Sequence, residues 1–129
     1  EEEIKVINNH LYYPGYVSNK ELPYLYTGAF AFLYTSLRES FGLPLLEAMA
    51  SGVPVITSNT SALPEIAGAG GLQADPSDPG AIAQLLLELE DNPVLYNEAT
   101  RYGLQRASLF SWEQTARQLL EIYNQLKTD

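Results

Sequence analysis

The segment RESFGLPLLEAMASGVPVI at residues 38–56 decides the fold. It starts in a polar loop, turns through Gly-Leu-Pro into an apolar helical stretch, and reaches a second apolar run after Gly52. Proline suits the first turn of a helix, and glycine commonly follows the end of one. The segment therefore predicts a loop over 36–42, a helix over about 44–50 and a buried strand over 53–57.

Further elements are predicted on both sides of this segment. AFAFLY at residues 29–34 is an apolar run typical of a strand buried on both faces. Ser18 and Glu21 have the spacing of a capping box, which predicts a helix over about 19–27. The remaining strand candidates lie at 4–7, 11–13 and 71–74, and a helical turn is predicted at 63–66. Three helices are predicted within 78–127, beginning after Asp78, Asn92 and Ser111. Strands that alternate with helices predict an α/β, Rossmann-like domain with a mainly parallel sheet and helices on both faces.

The composition fits one domain and argues against several kinds of partner. The chain has 129 residues, 46% of them hydrophobic and 18% charged, which is enough apolar material for a core. Its formal net charge of -9 argues against a nucleic-acid partner, which needs a basic surface. Cysteine is absent and His10 is the single histidine, so we expect no disulfide and no metal site. No apolar run reaches the roughly 20 residues of a membrane-spanning helix, so we predict no transmembrane segment.

Two glutamates, Glu39 and Glu47, stand eight residues apart in the central segment. Ligands of doubly wound sheets bind outside the carboxyl ends of the strands, where this loop is expected. Gly42 allows close approach of the backbone to a ligand, and the free amides at the start of the helix favour a phosphate. A carboxylate at Glu47 can accept hydrogen bonds from two adjacent ribose hydroxyls, and Glu39 can do the same for a sugar. Spacing alone leaves open that both are ordinary surface residues.

The whole segment resembles the signature of the retaining, glycogen-synthase-like glycosyltransferases of the GT-B fold, the glycosyl transferases group 1 family. That signature is E-G-F-G-L-P-x-L-E-A-M-A-x-G-x-P-V-I, and Glu39 and Glu47 stand at its two glutamate positions. Ser40 departs from the glycine that is common there. Further stretches similar to the family are PGYVS at 14–18, ELPYLY at 21–26, TSN and SALPEIAG within 57–68, ADP at 74–76 and FSWE at 110–113. The resemblance covers nearly the whole chain.

The resemblance implies a donor-binding domain. In the family, the C-terminal domain binds a nucleotide sugar, the N-terminal domain binds the acceptor, and transfer retains the anomeric configuration without a bound metal. Carried over, Glu39 contacts the donor sugar and stabilises charge in the catalytic step, and Glu47 holds the ribose. The backbone amides that meet the sugar and phosphates belong to Phe41, Gly42 and Leu43, and the base lies near Tyr16 and Val17. The expected ligand is a UDP-, GDP- or ADP-linked hexose, with no cofactor.

Parts of the family pattern have no match in this chain. The donor domain of the family begins with a strand, a Gly-Arg loop and a downstream lysine that grip the diphosphate. Glu1 comes after that point, so we interpret residues 1–129 as one partial donor domain whose acceptor domain is a missing partner. We expect no transferase activity from this chain alone, and weak donor binding at best. The stretch SNTSALPE at 58–65 is similar to mannosyl- and rhamnosyltransferases of surface polysaccharides. We expect a cytoplasmic location, at the inner membrane face for the full-length protein.

The family's strand order, 3-2-1-4-5-6, would leave a gap between the strand candidates at 11–13 and 29–34. An open central strand is an aggregation hazard. We consider two hypotheses: a second copy of the chain covers that edge as a homo-oligomer, or the two strands pair directly.

Alternative functions stay open at this point. A non-catalytic nucleotide-binding or scaffold module would keep the same fold, whereas a dehydrogenase fits poorly because no G-x-G-x-x-G turn is present. Residues interpreted as core or domain contacts are Trp112, Leu119, Leu120 and Tyr123. The tyrosines interpreted as packing residues rather than carbohydrate platforms are Tyr12, Tyr13, Tyr24, Tyr26 and Tyr34.

Overall fold

The computed structural model describes residues 11–126, which form three strands and six helices. In chain order these are α1 Leu22–Gly28, β1 Phe32–Tyr34, α2 Leu43–Ala50, β2 Val55–Ser58, α3 Leu63–Ala67, β3 Leu72–Ala74, α4 Pro79–Asp91, α5 Pro93–Ala107 and α6 Trp112–Leu126. The predicted strand at 4–7 lies outside the described residues.

The sheet is parallel, with the order β1-β2-β3. Phe32 pairs with Val55, and Ile56 pairs with Leu72, so β2 is the central strand. All four residues of β2 are buried, because α2 packs against β1 and β2, and α4 packs against β2 and β3. The predicted α/β class with a parallel sheet between helices is confirmed.

The main core lies between β2 and the helices α2 and α3. Leu45, Met49 and Leu63 are almost completely buried there, together with Val55 from β2. Ile56 is the next residue of β2 and points to the opposite face, since side chains alternate along a strand. Each large aliphatic side chain removed from water in this way contributes about 1.5–3 kcal/mol to stability. The segment at 38–56 therefore supplies both the crossover of the sheet and much of its core.

The helix starts predicted from Asp78, Asn92 and Ser111 are confirmed by side-chain hydrogen bonds. Asp78 Oδ1 accepts from the Ala81 amide at 3.0 Å, Asn92 Oδ1 from the Val94 and Leu95 amides at 3.1 Å each, and Ser111 Oγ from the Gln114 amide at 3.1 Å. Near the N-terminus, the Glu21 carboxylate accepts from the Ser18 hydroxyl at 2.6 Å. Helix α1 begins later than predicted, at Leu22, because residues 19–21 form a turn.

The strand predicted at 11–13 is wrong. These residues have no regular secondary structure and pair with no strand of the sheet, and Leu11, Tyr12 and Tyr13 are exposed. A strand needs a hydrogen-bonded neighbour, and within residues 11–126 the three-stranded sheet ends at β1. The hypothesis that this segment pairs directly with β1 is therefore wrong as well. Coverage of the β1 edge by a second copy stays a prediction.

The run at 29–34 is a strand only at Phe32–Tyr34, and burial on both faces is wrong. Phe32 and Tyr34 pack against the core, but Leu33 is 45% exposed. The reason is that β1 lies at the sheet edge and α4 packs mainly against β2 and β3.

Two groups of apolar side chains are more exposed than predicted. Helix α6 buries none of its residues, so the core interpretation of Trp112, Leu119, Leu120 and Tyr123 is wrong, while a domain contact stays a prediction. The helix makes few contacts with other elements of the described chain, which leaves its apolar face uncovered. Packing explains Tyr26 and partly Tyr34 but not the exposed Tyr12, Tyr13 and Tyr24.

We expect Gly42→Ala to destabilise the domain. Gly42 has φ 99°, and a Cβ there would lie 2.7 Å from Leu63 Cδ2, a side chain that is itself fully buried. Positive φ and overpacking together predict a loss of about 1–3 kcal/mol in the free energy of unfolding, measured by urea denaturation.

The matched control is Gly28→Ala, because a Cβ at Gly28 meets no atom within 4 Å. It should not lower the unfolding midpoint and should stabilise the domain by about 0.4–1 kcal/mol, because alanine restricts the unfolded chain more than glycine does. Similar midpoints for both variants would contradict the assignment of a strained, packed turn at Gly42.

Candidate functional site

The loop between β1 and α2 ends at a glycine that leaves the start of α2 open. Gly42 is the N-cap of α2, in a left-handed conformation with φ 99° and ψ 50°, and no side chain caps the helix. The Gly42 and Leu43 amides have no acceptor within residues 11–126. By contrast, side chains cap α4 and α5. The positive end of the α2 dipole therefore faces outward with free donors, which suits an anion.

The Glu39 carboxylate is held in the loop just before this helix start. The Tyr34 hydroxyl donates to Glu39 Oε2 at 2.6 Å, and the Ser40 amide donates to Glu39 Oε1 at 3.0 Å. The hydrogen bond from Tyr34 and then the Ser40 amide lower the pKa of Glu39 below its ordinary value. Glu39 is therefore a fixed anion at neutral pH, and its side chain is half-buried.

Glu47 lies one turn into α2 and has an exposed side chain. The hydroxyl of the buried Tyr26, from α1, donates to Glu47 Oε2 at 3.2 Å. Burial and the charge of Glu47 raise the pKa of Tyr26 to about 12, so this hydroxyl keeps its proton. The arrangement leaves the other carboxylate oxygen of Glu47 available to a ligand.

An aromatic row connects the two glutamates. The Tyr26 ring packs edge-on against Phe32, with 5.3 Å between centroids, and Phe32 stacks on Tyr34 at 5.8 Å. Each tyrosine at an end of this row holds one glutamate. Glu39 and Glu47 therefore belong to one supported arrangement at the carboxyl edge of the sheet.

Hydroxyl side chains at the end of β2 and just beyond it support the segment that leads to Glu39. Each hydroxyl donates to a backbone carbonyl in residues 34–39, which run alongside. The bonds are Thr57 to Tyr34 at 3.0 Å, Ser58 to Ser36 at 2.6 Å, Thr60 to Leu37 at 3.5 Å and Ser61 to Glu39 at 2.7 Å. The Ser61 oxygen also accepts from the Glu39 amide at 3.1 Å. Two parallel segments are thereby joined side by side beyond the end of the sheet.

Ser61 holds Glu39 from an unusual backbone conformation. Its φ is 59°, and within residues 11–126 no other residue except glycine has positive φ. Such a conformation costs of order 1–3 kcal/mol and persists where surrounding contacts enforce it. Here, the enforcing contacts are the two hydrogen bonds with the backbone of Glu39.

Two grooves border Glu47. One, of about 240 Å³, is mainly apolar and lies between α2 and the start of α6. It is lined by Phe41, Leu43, Leu46, Glu47, Ala50, Ala107, Phe110, Ser111, Trp112 and Thr115. The other, of about 340 Å³, lies between α1 and α2 and is lined by Asn19, Leu22, Pro23, Tyr26, Glu47 and Ser51. Glu47 can therefore reach a ligand in either groove.

The structure brings some of the predicted site residues together. Phe41, Leu43 and Glu47 share one groove, and Glu39 stands just before it in the loop without lining either groove. Gly42 is buried beneath Leu63. Tyr16 is 91% exposed and Val17 is half-buried, and neither lines these grooves.

Sequence reasoning missed the supporting residues of the site. Tyr26 and Tyr34 were interpreted only as packing residues. Thr57 was placed at the end of a predicted strand, and no supporting role was assigned to the hydroxyl residues of TSNTS at 57–61. The density of hydroxyl residues in that run, at the end of a buried strand and just beyond it, is the one signal that could have indicated a role. Which carbonyl each hydroxyl meets depends on the parallel register of β1 and β2.

The described part of the chain offers little for a metal or a membrane. Among residues 11–126, no three His, Cys, Asp or Glu side chains cluster as metal ligands would. In the same range, no helix is both long and apolar enough to cross a bilayer.

Comparisons with known proteins agree with this fold. The family model of the glycosyl transferases group 1 matches residues 3–106. The chain is 46% identical over 114 residues to O-antigen chain mannosyltransferase B of Escherichia coli, which covers 88% of this chain and 30% of that protein. It is 37% identical over 111 residues to MMP alpha-(1->4)-mannosyltransferase of Mycolicibacterium hassiacum, which covers 83% of this chain and 27% of that protein.

A solved structure shows the same fold. Sucrose-phosphate synthase from Thermosynechococcus elongatus matches with a TM-score of 0.84 and 29% sequence identity, over 95% of this chain and 32% of that one. The chain thus belongs to the glycosyl transferases group 1 family, as the resemblance indicated, and has the α/β fold expected for part of a GT-B glycosyltransferase. The chain spans 30%, 27% and 32% of the length of these three proteins, respectively.

We predict that Ser61→Ala loosens the Glu39 loop. The variant loses two hydrogen bonds of about 0.5–1.5 kcal/mol each and places alanine at positive φ. Hydrogen exchange at the Glu39 amide, which donates to Ser61 Oγ, should accelerate. Thr60→Ala is the control, because its bond to Leu37 is long at 3.5 Å. Equal exchange at Glu39 in wild type and Ser61→Ala would refute the proposed support.

We also predict that the Glu39 carboxyl titrates below its ordinary value of 4.5. Because the folded pKa is lowered, the stabilisation from this carboxylate is complete above the unfolded pKa and is lost as the pH falls through the folded pKa. Carbon NMR of the side-chain carboxyl measures the midpoint. Tyr34→Phe removes the largest cause and should raise it. A midpoint that does not move in this variant would argue against the bond from Tyr34.

Proposed function

We propose that this chain is the donor-binding domain of a retaining glycosyltransferase that moves a hexosyl unit from a nucleotide sugar to a glycan or lipid-linked acceptor. The names of two relatives make mannose the first sugar to test. On this proposal, residues 1–129 by themselves bind the donor weakly, and transfer also requires an acceptor-binding domain. A cytoplasmic location, at the inner membrane face, stays part of the prediction.

The observation that carries the proposal is the pair of anchored carboxylates around an uncapped helix start. Glu39 precedes the free Gly42 and Leu43 amides, and Glu47 follows them by one turn of α2. A nucleotide sugar has the complementary order, with sugar hydroxyls, a diphosphate and ribose hydroxyls. Carboxylates accept hydrogen bonds from hydroxyls, and backbone amides donate to phosphate oxygens.

Each group then has a chemical role. Glu39 binds hydroxyls of the donor sugar and stabilises the positive charge that develops on the sugar as its bond to the diphosphate breaks. The start of α2 stabilises the negative charge on the leaving diphosphate. Glu47 accepts from the ribose hydroxyls. Among the three amides predicted from the family, Phe41 is partly engaged with the Glu39 carboxylate, so Gly42 and Leu43 are the better phosphate donors.

The dipole at the start of α2 explains how a negatively charged chain can bind a negatively charged diphosphate. A chain of net charge -9 repels a diphosphate at long range. The amides at a helix start act over a few ångströms and keep their polarity whatever the charge of the surface. The proposal therefore predicts binding that strengthens with salt, because salt screens the long-range repulsion more than the short contacts.

The base stays the least determined part of the donor. Tyr16 and Val17 were predicted to lie near it, and Tyr16 is free to contact a ligand because it is 91% exposed. The groove between α1 and α2 adds Asn19, whose amide can both donate and accept. Substitutions at these positions would be expected to change the preference among UDP, GDP and ADP rather than the affinity for the sugar.

A donor titration tests the function. Thermal denaturation of wild type, Glu47→Ala and the control Glu98→Ala, an exposed residue of α5, is followed with UDP-, GDP- and ADP-mannose and the matching glucose compounds. A ligand at a hundred times its dissociation constant stabilises the folded state by about 2.7 kcal/mol. We expect the melting temperature of wild type and Glu98→Ala to rise with the compounds of one base. For Glu47→Ala we expect a smaller rise, corresponding to an affinity at least about tenfold lower.

Two results would speak against this function. Equal shifts in Glu47→Ala and wild type would remove the ribose role from that carboxylate. The absence of any shift with all six compounds would favour the alternative of a scaffold module that keeps the fold without binding a donor.

A further inference from the structure

Two tyrosine hydroxyls hold the two glutamates of the candidate site. Tyr34 Oη donates to Glu39 Oε2 at 2.6 Å, and Tyr26 Oη donates to Glu47 Oε2 at 3.2 Å. Tyr34 belongs to β1 and Tyr26 to α1, so neither tyrosine belongs to the helix or loop that carries its glutamate. Each glutamate is thus fixed from a different element of the fold.

The tyrosines themselves are held rigidly by the core. Tyr26 is buried, and its ring packs against Phe32, which in turn stacks on Tyr34. A glutamate side chain has three rotatable bonds, and its freedom is lost when a ligand fixes it. A carboxylate already held by a rigid donor loses less freedom on binding, so the tyrosines prepare both glutamates for a ligand.

Packing does not require these hydroxyls. Phenylalanine would keep both ring contacts of the aromatic row. A hydroxyl removed from water carries a cost that only its hydrogen bond offsets, and in each case the partner is a glutamate of the site. The oxygen atoms are therefore explained by the glutamates and not by the core.

Both tyrosine hydroxyls keep their protons across the neutral range and so remain donors. Burial and Glu47 raise the pKa of Tyr26 to about 12, and the hydrogen bond to Glu39 together with burial raises that of Tyr34 to about 12. The pKa of Glu39 is lowered. The donors stay protonated while the Glu39 acceptor stays ionised.

We propose that Tyr26 and Tyr34 are positioning residues, with Tyr26 fixing Glu47 for the ribose hydroxyls and Tyr34 fixing Glu39 for the hydroxyls of the donor sugar. This inference rests on the donor-binding function proposed above. It divides recognition into two parts, each governed by its own tyrosine hydroxyl. Removal of one hydroxyl then weakens one part of the ligand and spares the other, which a general loss of structure would not do.

The test measures the two parts separately on the 129-residue chain. Dissociation constants for GDP, 2′-deoxy-GDP and GDP-mannose are determined by NMR titration for wild type, Tyr26→Phe and Tyr34→Phe. The ribose ratio, the dissociation constant of 2′-deoxy-GDP divided by that of GDP, reports the ribose contact. The sugar ratio, the dissociation constant of GDP divided by that of GDP-mannose, reports the sugar contact. The corresponding uridine and adenosine compounds are titrated in parallel.

We expect Tyr26→Phe to reduce the ribose ratio by about three- to tenfold and to leave the sugar ratio unchanged. Tyr34→Phe should do the reverse. In a Glu47→Ala background, Tyr26→Phe should have no further effect on the ribose ratio, because the two residues act through one bond. Tyr24→Phe is the control, since Tyr24 lies in the same helix as Tyr26 but is 78% exposed.

The outcomes separate this inference from the function beneath it. Wild-type binding combined with equal losses in both ratios, or with no change in either, would overturn the positioning roles and leave the donor function standing. Failure of the wild-type chain to bind any of the compounds would overturn both. Tyr34 is only half-buried, so if Tyr26→Phe does not fold, a selective change of the sugar ratio in Tyr34→Phe decides the matter.

Discussion

The close contact between the Gly42 backbone and Leu63 is the constraint on which the site depends. Gly42 turns the chain at φ 99° directly beneath a buried leucine of α3, where a Cβ would lie 2.7 Å from Leu63 Cδ2. The turn starts α2 without a side-chain cap and sends its buried face into the core. One backbone conformation thus joins the packing of the domain to the exposure of a helix start.

Around this turn, polar groups of the site are fixed by neighbours rather than by their own segment. Tyr26 and Tyr34 hold the glutamates, and the hydroxyls of Ser58 and Ser61 hold carbonyls of the loop. The strained φ of Ser61 is maintained by its two bonds to Glu39. Such support restricts the carboxylates before a ligand arrives, which is the usual requirement for selective recognition of hydroxyls.

Errors in the sequence-based description share one physical origin. The segment at 11–13 has strand-forming residues but no strand beside it, and Leu33 is apolar but lies at an edge that α4 does not cover. Helix α6 has an apolar face that the rest of residues 11–126 leaves exposed. The order of apolar and polar residues along a segment indicates which of its faces can be buried. Whether that face is buried depends on another element packing against it.

The sequence by itself determined the alternation of strands and helices, the capped starts of α4, α5 and α6, and the positions of Glu39 and Glu47, because these follow from local propensity and a contiguous motif. Only the tertiary structure decided what holds those glutamates. Tyr26 is 21 residues from Glu47, and Ser61 is 22 residues from Glu39. Contacts of that separation arise from the parallel register of β1 and β2 and from the packing of α1 on α2, which no local pattern encodes.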